Sequence, residues 1–263
     1  MNTKIGIIGR GFVGSAVANG FDQNVHTLII DPKYTQNTIE DCKDCEAVFV
    51  CVPTPEKKSG DVDVSIADIV LSELDTLSYK GVVIIKSTIT PKHLTNFKKH
   101  HKKLKLVYNP EFLTEANSLT DFLNPNMQIL GGKWRDCEYV ERLYVRHSSV
   151  RIVPTFKTDL ITASLLKYTI NSWLATKVVF FNELYELHKA SKTKIPWENF
   201  VDMLSREDRV GSTHMRVPGP DGDYGFGGHC FPKDTAAFLH YANQIGVDLS
   251  VLAQAVEKNK KLR

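Results

Sequence analysis

The chain has 263 residues, of which 33 are Lys or Arg and 30 are Asp or Glu, giving a formal net charge of +3. This length is enough for two domains, the small net charge is not that of a nucleic-acid-binding protein, and no apolar run is long enough to span a membrane. The N-terminus carries no signal-peptide pattern. We therefore expect a cytoplasmic protein whose partners include neither nucleic acid nor membrane.

Short apolar runs rich in Val and Ile alternate with helical segments through the first half of the chain. The runs are 4–9, 26–31, 46–53, 81–87, 104–109 and 127–132. Such runs are typical of strands that are buried on both faces of a parallel sheet. The pattern predicts an α/β fold, a Rossmann-type doubly wound parallel sheet, over residues 1–155.

The pattern of apolar residues changes after residue 155. Residues 158–192 contain neither Pro nor Gly and have apolar side chains at helical spacing, which predicts one long helix. Further helices are expected at about 196–204, 233–245 and 248–261, and an irregular loop at 211–229. The second half therefore predicts an all-helical domain over residues 156–263 with a long central helix.

A glycine motif, G-x-G-x-x-G, follows the first predicted strand and opens a helix. It allows a tight turn and a close backbone approach to a pyrophosphate at the helix N-terminus, although an ordinary glycine-rich turn is the alternative. Asp31 ends the second strand, where its carboxylate can bind ribose hydroxyls and would repel a 2′-phosphate. The sequence thus favours NAD over NADP. The cofactor-binding residues predicted here are Gly9, Gly11, Phe12, Val13, Gly14 and Asp31.

Hydroxyl side chains follow the third and fourth predicted strands. Thr54 lies in "CVPTP", and Ser87 and Thr88 lie in "KSTI". Ligands of open α/β sheets bind at the carboxyl ends of the strands, so these side chains are placed to meet cofactor or substrate. The alternative is that the hydroxyls cap the following helices, and for Ser87 the two interpretations are balanced.

Two pairs of polar residues have helical spacing. Glu111 and Glu115 follow the fifth strand in "NPEFLTEA" and would share a face if that segment were helical, where a carboxylate could act as a base toward water. Lys167 and Asn171 lie four apart on the long helix and could together stabilise an oxyanion. Spacing alone favours, for both pairs, the simpler interpretation of exposed surface residues.

Cys230 stands in "YGFGGHCFPKD" and could be a buried filler, a metal ligand or a nucleophile. A zinc site needs about four ligands and only His229 is near, so no metal is predicted. Lys233 and the start of the next helix would lower the thiol pKa, which favours the nucleophile. Packing is predicted for the other cysteines, which are Cys42, Cys45, Cys51 and Cys137.

Together these segments resemble the UDP-glucose and GDP-mannose dehydrogenases. The matching pieces, in the family's order, are "GIIGRGFVG", "VPTP", "KSTI", "NPEFLTEA", "KYTINSWLATKVVFFNE" and "GFGGHCFPKD". The resemblance covers nearly the whole chain. It implies an NAD-dependent, four-electron oxidation of a sugar CH2OH to a carboxylate through a thiohemiacetal and a thioester on Cys230.

The resemblance also implies roles for the other candidate residues. Glu111 and Thr88 would handle the hydrolytic water, Lys167 and Asn171 would stabilise oxyanions, and Asp234 would support the proton chemistry beside Cys230. The implied substrate-binding residues are Glu115, Arg209, Gly227 and Gly228. Arg209, with Arg216 as its rival, would reach the substrate of the neighbouring subunit, which implies a homodimer built on the long helix.

Family members usually continue into a second α/β domain that closes over the nucleotide, and from this sequence we expect a short form without it. The sugar and the base, UDP- or GDP-linked, stay open. Two other functions compete with a nucleotide-sugar 6-dehydrogenase. One is a two-electron 3-hydroxyacid dehydrogenase, which needs no cysteine, and the other is a non-catalytic protein that binds NAD or a sugar nucleotide.

Overall fold

The structure is a computed structural model that describes residues 3–114 and 116–263. The chain divides into two compact units. The first is drawn from Met1–Lys57 and Val62–Lys167, and the second from Lys58–Asp61 and Tyr168–Arg263. The division falls inside the long helix.

One seven-stranded sheet organises the described part of the first unit. Its strands are β1 (Lys4–Ile8), β2 (His26–Ile30), β3 (Ala47–Val50), β4 (Val82–Ile85), β5 (Lys105–Tyr108), β6 (Gln128–Gly132) and β7 (Thr155–Thr158). Among these described strands the order is β2-β1-β3-β4-β5-β6-β7, and all neighbours are parallel except β5 and β6. The predicted α/β fold class is confirmed, and the first six strands lie within the predicted runs.

Helices connect the strands and cover the sheet. They are α1 (Phe12–Gly20), α2 (Ser65–Thr76), α3 (Pro91–His100), α4 (Ser118–Leu123) and α5 (Trp134–His147), with a short 3-10 turn at Ile39–Cys42. Amphipathic spacing explains their packing: the buried residues of α2 are Ala67, Val70, Leu71 and Leu74, which recur every three or four positions. Pro91 begins α3, where its missing N–H costs nothing.

The core of the first unit lies against the central strands. Ile5 and Ile7 of β1 are fully buried, as are Phe49 of β3, Ile84 of β4 and Val107 of β5. Fully burying side chains of this kind contributes roughly 1.5–3 kcal/mol each. This packing fixes the strands and therefore the loops that leave their carboxyl ends.

The second unit consists of helices and irregular loops. The helix α6 (Leu160–Ala190) enters it from the first unit, and α7 (Trp197–Ser205), α8 (Phe231–Gln244) and α9 (Ser250–Leu262) follow. These four helices agree with the predicted positions. Two apolar clusters hold the unit together, one formed by Ala175, Val179, Phe226 and Ala255 and the other by Phe181, Trp197, Met215 and Val217.

Three features of the structure go beyond the sequence patterns. The strand β7 was not predicted, because its sequence, Thr-Phe-Lys-Thr, is too short and polar to show a pattern. Residues 111–114 are irregular rather than helical, and Glu115 lies outside the described residues. Within the described ranges, no helix is both long and apolar enough to cross a bilayer.

Candidate functional site

The glycine motif forms a tight turn between β1 and α1. Gly9 has φ of +92°, and its N–H donates to Ile30 O at 2.9 Å. A Cβ on Gly14 would lie 1.9 Å from Gly9 O, so both positions require glycine. A Cβ on Gly11 would meet nothing within 4 Å, which leaves open space beside the first residues of α1.

Asp31 closes the other side of this turn. Its Oδ2 accepts a hydrogen bond from the Arg10 N–H at 2.7 Å, and its Oδ1 accepts one from the Lys33 N–H at 2.9 Å. The Arg10 guanidinium lies 5.4 Å from the centre of the Tyr34 ring. The carboxylate is thus fixed at the end of β2, while Phe12 and Val13 begin the helix whose N-terminus suits a phosphate. These residues fit a dinucleotide with free ribose hydroxyls.

The hydroxyl residues join neighbouring loops of the first unit. Thr54 Oγ1 donates to Thr88 O at 3.0 Å, and Ser87 Oγ donates to Val52 O at 2.6 Å. Ser87 does not cap the following helix, whose N-cap is Thr90. The hydroxyl groups of Thr54 and Ser87 both donate their hydrogen to backbone carbonyls, so toward a ligand each offers acceptor lone pairs.

Lys167 and Glu111 form a buried pair in the first unit. Lys167 Nζ donates to Glu111 O at 2.5 Å, and Nζ lies 3.5 Å from Glu111 Oε1. Glu111 Oε2 accepts a hydrogen bond from the Leu113 N–H at 2.6 Å. The Lys167 Nζ also lies 5.1 Å from the centre of the Phe112 ring. Both side chains are buried, so the simpler interpretation as exposed surface residues is wrong for Lys167 and for Glu111.

Lys86, at the end of β4, is a buried cation that the sequence analysis did not single out. Its Nζ donates to Asn109 Oδ1 at 3.0 Å, and Tyr144 OH donates to the same oxygen at 2.8 Å. Burial lowers the pKa of the Lys86 ammonium to about 8, against smaller opposing effects of Cys51 and Glu111. A lysine at the end of the apolar run Val-Val-Ile-Ile was the available signal.

Cys230 is the N-cap of α8 and is half-buried. Its carbonyl accepts the first helical hydrogen bond, from the Asp234 N–H at 2.8 Å. Asp234 is almost fully buried; its Oδ1 accepts a hydrogen bond from Lys233 Nζ at 2.7 Å and its Oδ2 accepts one from Asn171 Nδ2 at 2.6 Å. Asn171, Lys233 and Asp234 therefore form one connected cluster, and Asp234 lies one helical turn after Cys230.

The remaining predicted substrate residues lie in the loops of the second unit. A Cβ on Gly227 would meet the Arg263 guanidinium, whereas one on Gly228 would meet nothing within 4 Å. Arg209 is exposed and its Nε donates to Glu207 Oε1 at 2.7 Å. Arg216 lines a cavity of about 560 Å³ beside Trp197. Which of the two arginines contacts the substrate stays a prediction.

The other cysteines are buried, as their predicted packing role requires. Burial raises the pKa of Cys51 to about 12 and that of Cys137 to about 11, so both are held as thiols. Contact between the Cys42 and Cys45 thiols raises the pKa of Cys42 and lowers that of Cys45. Within the described residues, no group of three His, Cys, Asp or Glu side chains is arranged to hold a metal ion.

Two family models match the chain. The UDP-glucose/GDP-mannose dehydrogenase family's NAD binding domain matches residues 31–148, and the same family's central domain matches residues 161–261. The chain belongs to the UDP-glucose/GDP-mannose dehydrogenase family. This is a family of NAD-dependent oxidoreductases, and the prediction of NAD as cofactor is confirmed.

Individual relatives agree with this membership. The chain is 32% identical over 234 residues to a UDP-glucose 6-dehydrogenase of Rickettsia bellii, covering 87% of this chain and 52% of the relative. It is 28% identical over 232 residues to a GDP-mannose 6-dehydrogenase of Pseudomonas aeruginosa, covering 82% of this chain and 51% of the relative. The chain thus spans about half the length of the curated relatives it matches.

Solved structures share the fold. A UDP-glucose dehydrogenase from Pyrobaculum islandicum superposes with a TM-score of 0.84 at 22% identity, covering 99% of this chain and 68% of that one. A 3-hydroxyisobutyrate dehydrogenase from Mycobacterium tuberculosis superposes with a TM-score of 0.75 at 15% identity, covering 99% and 94%. The fold alone therefore does not separate four-electron from two-electron chemistry, and the side chains must do so.

Proposed function

We propose that this family member is an NAD-dependent nucleotide-sugar 6-dehydrogenase that converts a sugar CH2OH to a carboxylate in a four-electron oxidation. The observation that carries the proposal is the half-buried Cys230 at the N-terminus of α8, one turn from the buried Asp234. A two-electron hydroxyacid dehydrogenase has no use for such a thiol. Covalent chemistry on sulfur accounts for it.

Cys230 divides the oxidation into two stages. Bound NAD accepts one hydride in each stage, and the two stages use two NAD molecules in turn. The alcohol first loses a hydride and a proton to give the aldehyde. The Cys230 thiolate adds to the aldehyde carbon to form a thiohemiacetal, and loss of a second hydride leaves a thioester on the same sulfur. Water then cleaves the C–S bond, giving the carboxylate and returning the thiol.

Other side chains of the chain assist these steps in the proposal. Lys167 and Asn171 stabilise the negative oxygen that develops on the substrate, because a cation and an amide donor strengthen as charge grows. Glu111, with Thr88, orients and deprotonates the water that attacks the thioester. Asp234, one helical turn after Cys230, accepts hydrogen bonds from the Asn171 amide and the Lys233 ammonium and so fixes both groups.

The substrate is proposed to be a UDP- or GDP-linked sugar, bound by Glu115, Arg209, Gly227 and Gly228. Open space above Gly228 supports close approach of the sugar to the backbone. Arg209 is exposed and its Nε pairs with Glu207, so the other guanidinium N–H groups can donate to an anionic ligand. Substrate contact by Arg209 from a neighbouring subunit is part of the proposal.

A homodimer through α6 is also proposed. Trp173, Phe180 and Leu187 are 59%, 58% and 61% exposed and follow one another at intervals of seven residues. This spacing places them on one face of the helix, as in the seams of paired helices. A second copy of α6 would cover them.

The function is tested by counting NADH. The purified chain is incubated with excess NAD and a limiting amount of each UDP- and GDP-sugar in a panel, and NADH is read by absorbance. Two NADH per sugar, with a uronic acid as product, are expected. One NADH per substrate with a hydroxyacid would support the two-electron alternative, and no turnover with any nucleotide sugar would support a binding protein.

A further inference from the structure

The loop that leads into Cys230 is held by one asparagine side chain. Asn259 of α9 accepts a hydrogen bond at Oδ1 from the Phe226 N–H at 2.7 Å and donates from Nδ2 to Phe226 O at 2.9 Å. The side-chain amide thus satisfies both backbone groups of one loop residue, as a neighbouring strand would. Four residues later in the chain, Cys230 begins α8.

A second asparagine holds the preceding residue of the same loop. Asn182 of α6 accepts a hydrogen bond at Oδ1 from the Gly225 N–H at 3.0 Å, and its Nδ2 donates to Val178 O at 2.8 Å within the helix. The helical bond fixes the orientation of the amide. Gly225 has φ of +68°, and a Cβ there would lie 2.3 Å from Asn259 Oδ1, so the arrangement requires glycine.

Burial makes both contacts costly to lose. Asn182 is 2% exposed and Asn259 is 8% exposed, so an unpaired backbone group in this loop would have little water to bond instead. The Phe226 ring packs among Ala175, Val179 and Ala255, and its centre lies 6.2 Å from that of Phe231, the residue after Cys230. The loop, its aromatic anchor and the start of α8 are therefore connected.

We propose that Asn182 and Asn259 are positioning residues for Cys230, acting together as a clamp on Gly225 and Phe226. This inference rests on the proposed function, because it assigns the clamp to the placement of the nucleophile. The clamp comes from two different helices and bonds to backbone groups of Gly225 and Phe226, so it fixes the loop that leads into α8. A misplacement of the sulfur by about 1 Å can lower a rate by two orders of magnitude.

Side-chain chemistry distinguishes the clamp from simple space filling. Asn259→Asp keeps the size and the acceptor of the side chain but replaces the donor with an oxygen that faces Phe226 O. It should therefore weaken the clamp as Asn259→Ala does. Gln254 is an exposed amide on the same helix and supplies the matched control, Gln254→Ala. Asn182→Ala leaves the Phe226 contacts in place and removes the Gly225 contact, together with the bond to Val178 O within α6.

The first measurement is hydrogen exchange, which needs no turnover. In Asn259→Ala, Asn259→Asp and Asn182→Ala, amide exchange in peptides covering 224–231 should rise by about tenfold, as expected for loss of one or two hydrogen bonds. Peptides from α1 should exchange as in the wild type. Gln254→Ala should match the wild type throughout.

The second measurement is functional. The three clamp variants should lower kcat for the nucleotide sugar by about tenfold while leaving the KM for NAD unchanged, because the cofactor residues lie in the other unit. The rate of iodoacetamide alkylation at Cys230, followed by mass spectrometry, should differ from the wild-type rate by more than about threefold, since the thiol changes position.

The two measurements together test whether the clamp positions Cys230. Wild-type exchange at 224–231 in the variants would overturn it, and so would faster exchange with unchanged kcat and alkylation. If Asn259→Ala does not melt cooperatively, Asn182→Ala and Asn259→Asp supply the same comparisons. If the wild type turns over no nucleotide sugar, the proposed function fails, while exchange and alkylation still accept or reject the positioning role.

Discussion

Asn171 donates its side-chain amide to Asp234 Oδ2 at 2.6 Å, inside the second unit. Both residues are buried, and the other carboxylate oxygen of Asp234 accepts from Lys233. The carboxylate therefore decides which way the Asn171 amide points, and it leaves the second amide hydrogen for another acceptor.

Asp234→Asn should lower kcat by about a hundredfold, because the neutral amide neither orients Asn171 uniquely nor balances Lys233. Steady-state kinetics with NAD and the active nucleotide sugar measures this. Asp248→Asn, an exposed carboxylate in the same unit, should behave as the wild type. A wild-type kcat in Asp234→Asn would show that the Asp234 carboxylate does not contribute to catalysis.

Cys230→Ser should abolish acid formation and leave NAD binding intact, because a serine hydroxyl without a strong adjacent base is a much weaker nucleophile than a thiolate. Product analysis and a cofactor titration check both parts. Glu111→Gln should instead accumulate a covalent adduct on Cys230, detected by mass spectrometry, because hydrolysis is slowed. Full acid production by the serine variant would exclude covalent catalysis.

Asp31 should set the preference for NAD. Asp31→Asn removes the charge that would oppose a 2′-phosphate, so the ratio of NADP to NAD dissociation constants should fall by about tenfold. Fluorescence titration of both cofactors gives the ratio, with Asp44→Asn as an exposed control in the same unit. Tighter binding of NADP than NAD by the wild type would contradict this role.

Phe180→Glu should convert the proposed dimer to a monomer, because it places a charge on the exposed apolar face of α6. Sedimentation velocity at several concentrations measures the change. Ile245→Glu alters an equally exposed apolar side chain just after α8 and should leave the dimer intact. A wild-type protein that is monomeric at all concentrations would refute the interface.

Lys86 should make stability depend on pH. Its pKa in the folded protein is about 8, below its ordinary value of 10.5, so between these values the unfolded chain binds more protons than the folded one. Stability contributed by this group therefore rises as pH increases from about 8 to 10.5, and is lowest below pH 8.

Lys86→Met should remove that rise. The free energy of unfolding of the wild type, relative to the variant, should increase by roughly 1–3 kcal/mol from pH 7.5 to pH 10.5. Urea unfolding at intermediate pH values gives the slope of the unfolding free energy against pH. Lys80→Met, at an exposed lysine of the same unit, is the control for the contributions of the other titrating groups. A pH-independent difference between wild type and Lys86→Met would contradict the lowered pKa.

Local patterns predicted the elements of this fold because each pattern reports one physical requirement. Apolar runs predicted β1 to β6, and the absence of Pro and Gly predicted α6. The strand β7 was not predicted, because a four-residue strand at a sheet edge needs no apolar run. Gly9, Gly14 and Asp31 were predictable because a tight turn after a strand restricts which residues it accepts.

Contacts between distant residues could not be predicted in this way. Nothing near Asn182 or Asn259 in the sequence shows that both bond to one loop, 43 and 33 residues away respectively. The hydrogen bonds around Lys86 likewise involve Asn109, which follows β5, and Tyr144 of α5, both distant in the sequence. The neighbours of Cys230 favoured a nucleophile, whereas the predicted role of Lys167 depended on the family resemblance.

The outer strands of the sheet bear on how copies of this chain can associate. Among the described strands, β2 and β7 have one strand neighbour each, so each has one edge that no other described strand covers. The strand β7 is only four residues long, follows Pro154, and carries Lys157, whose ammonium pairs with Glu141. A short strand flanked by proline and bearing lysine is a poor template for adding a foreign strand. Self-association of the folded protein by strand addition at β7 should therefore be disfavoured.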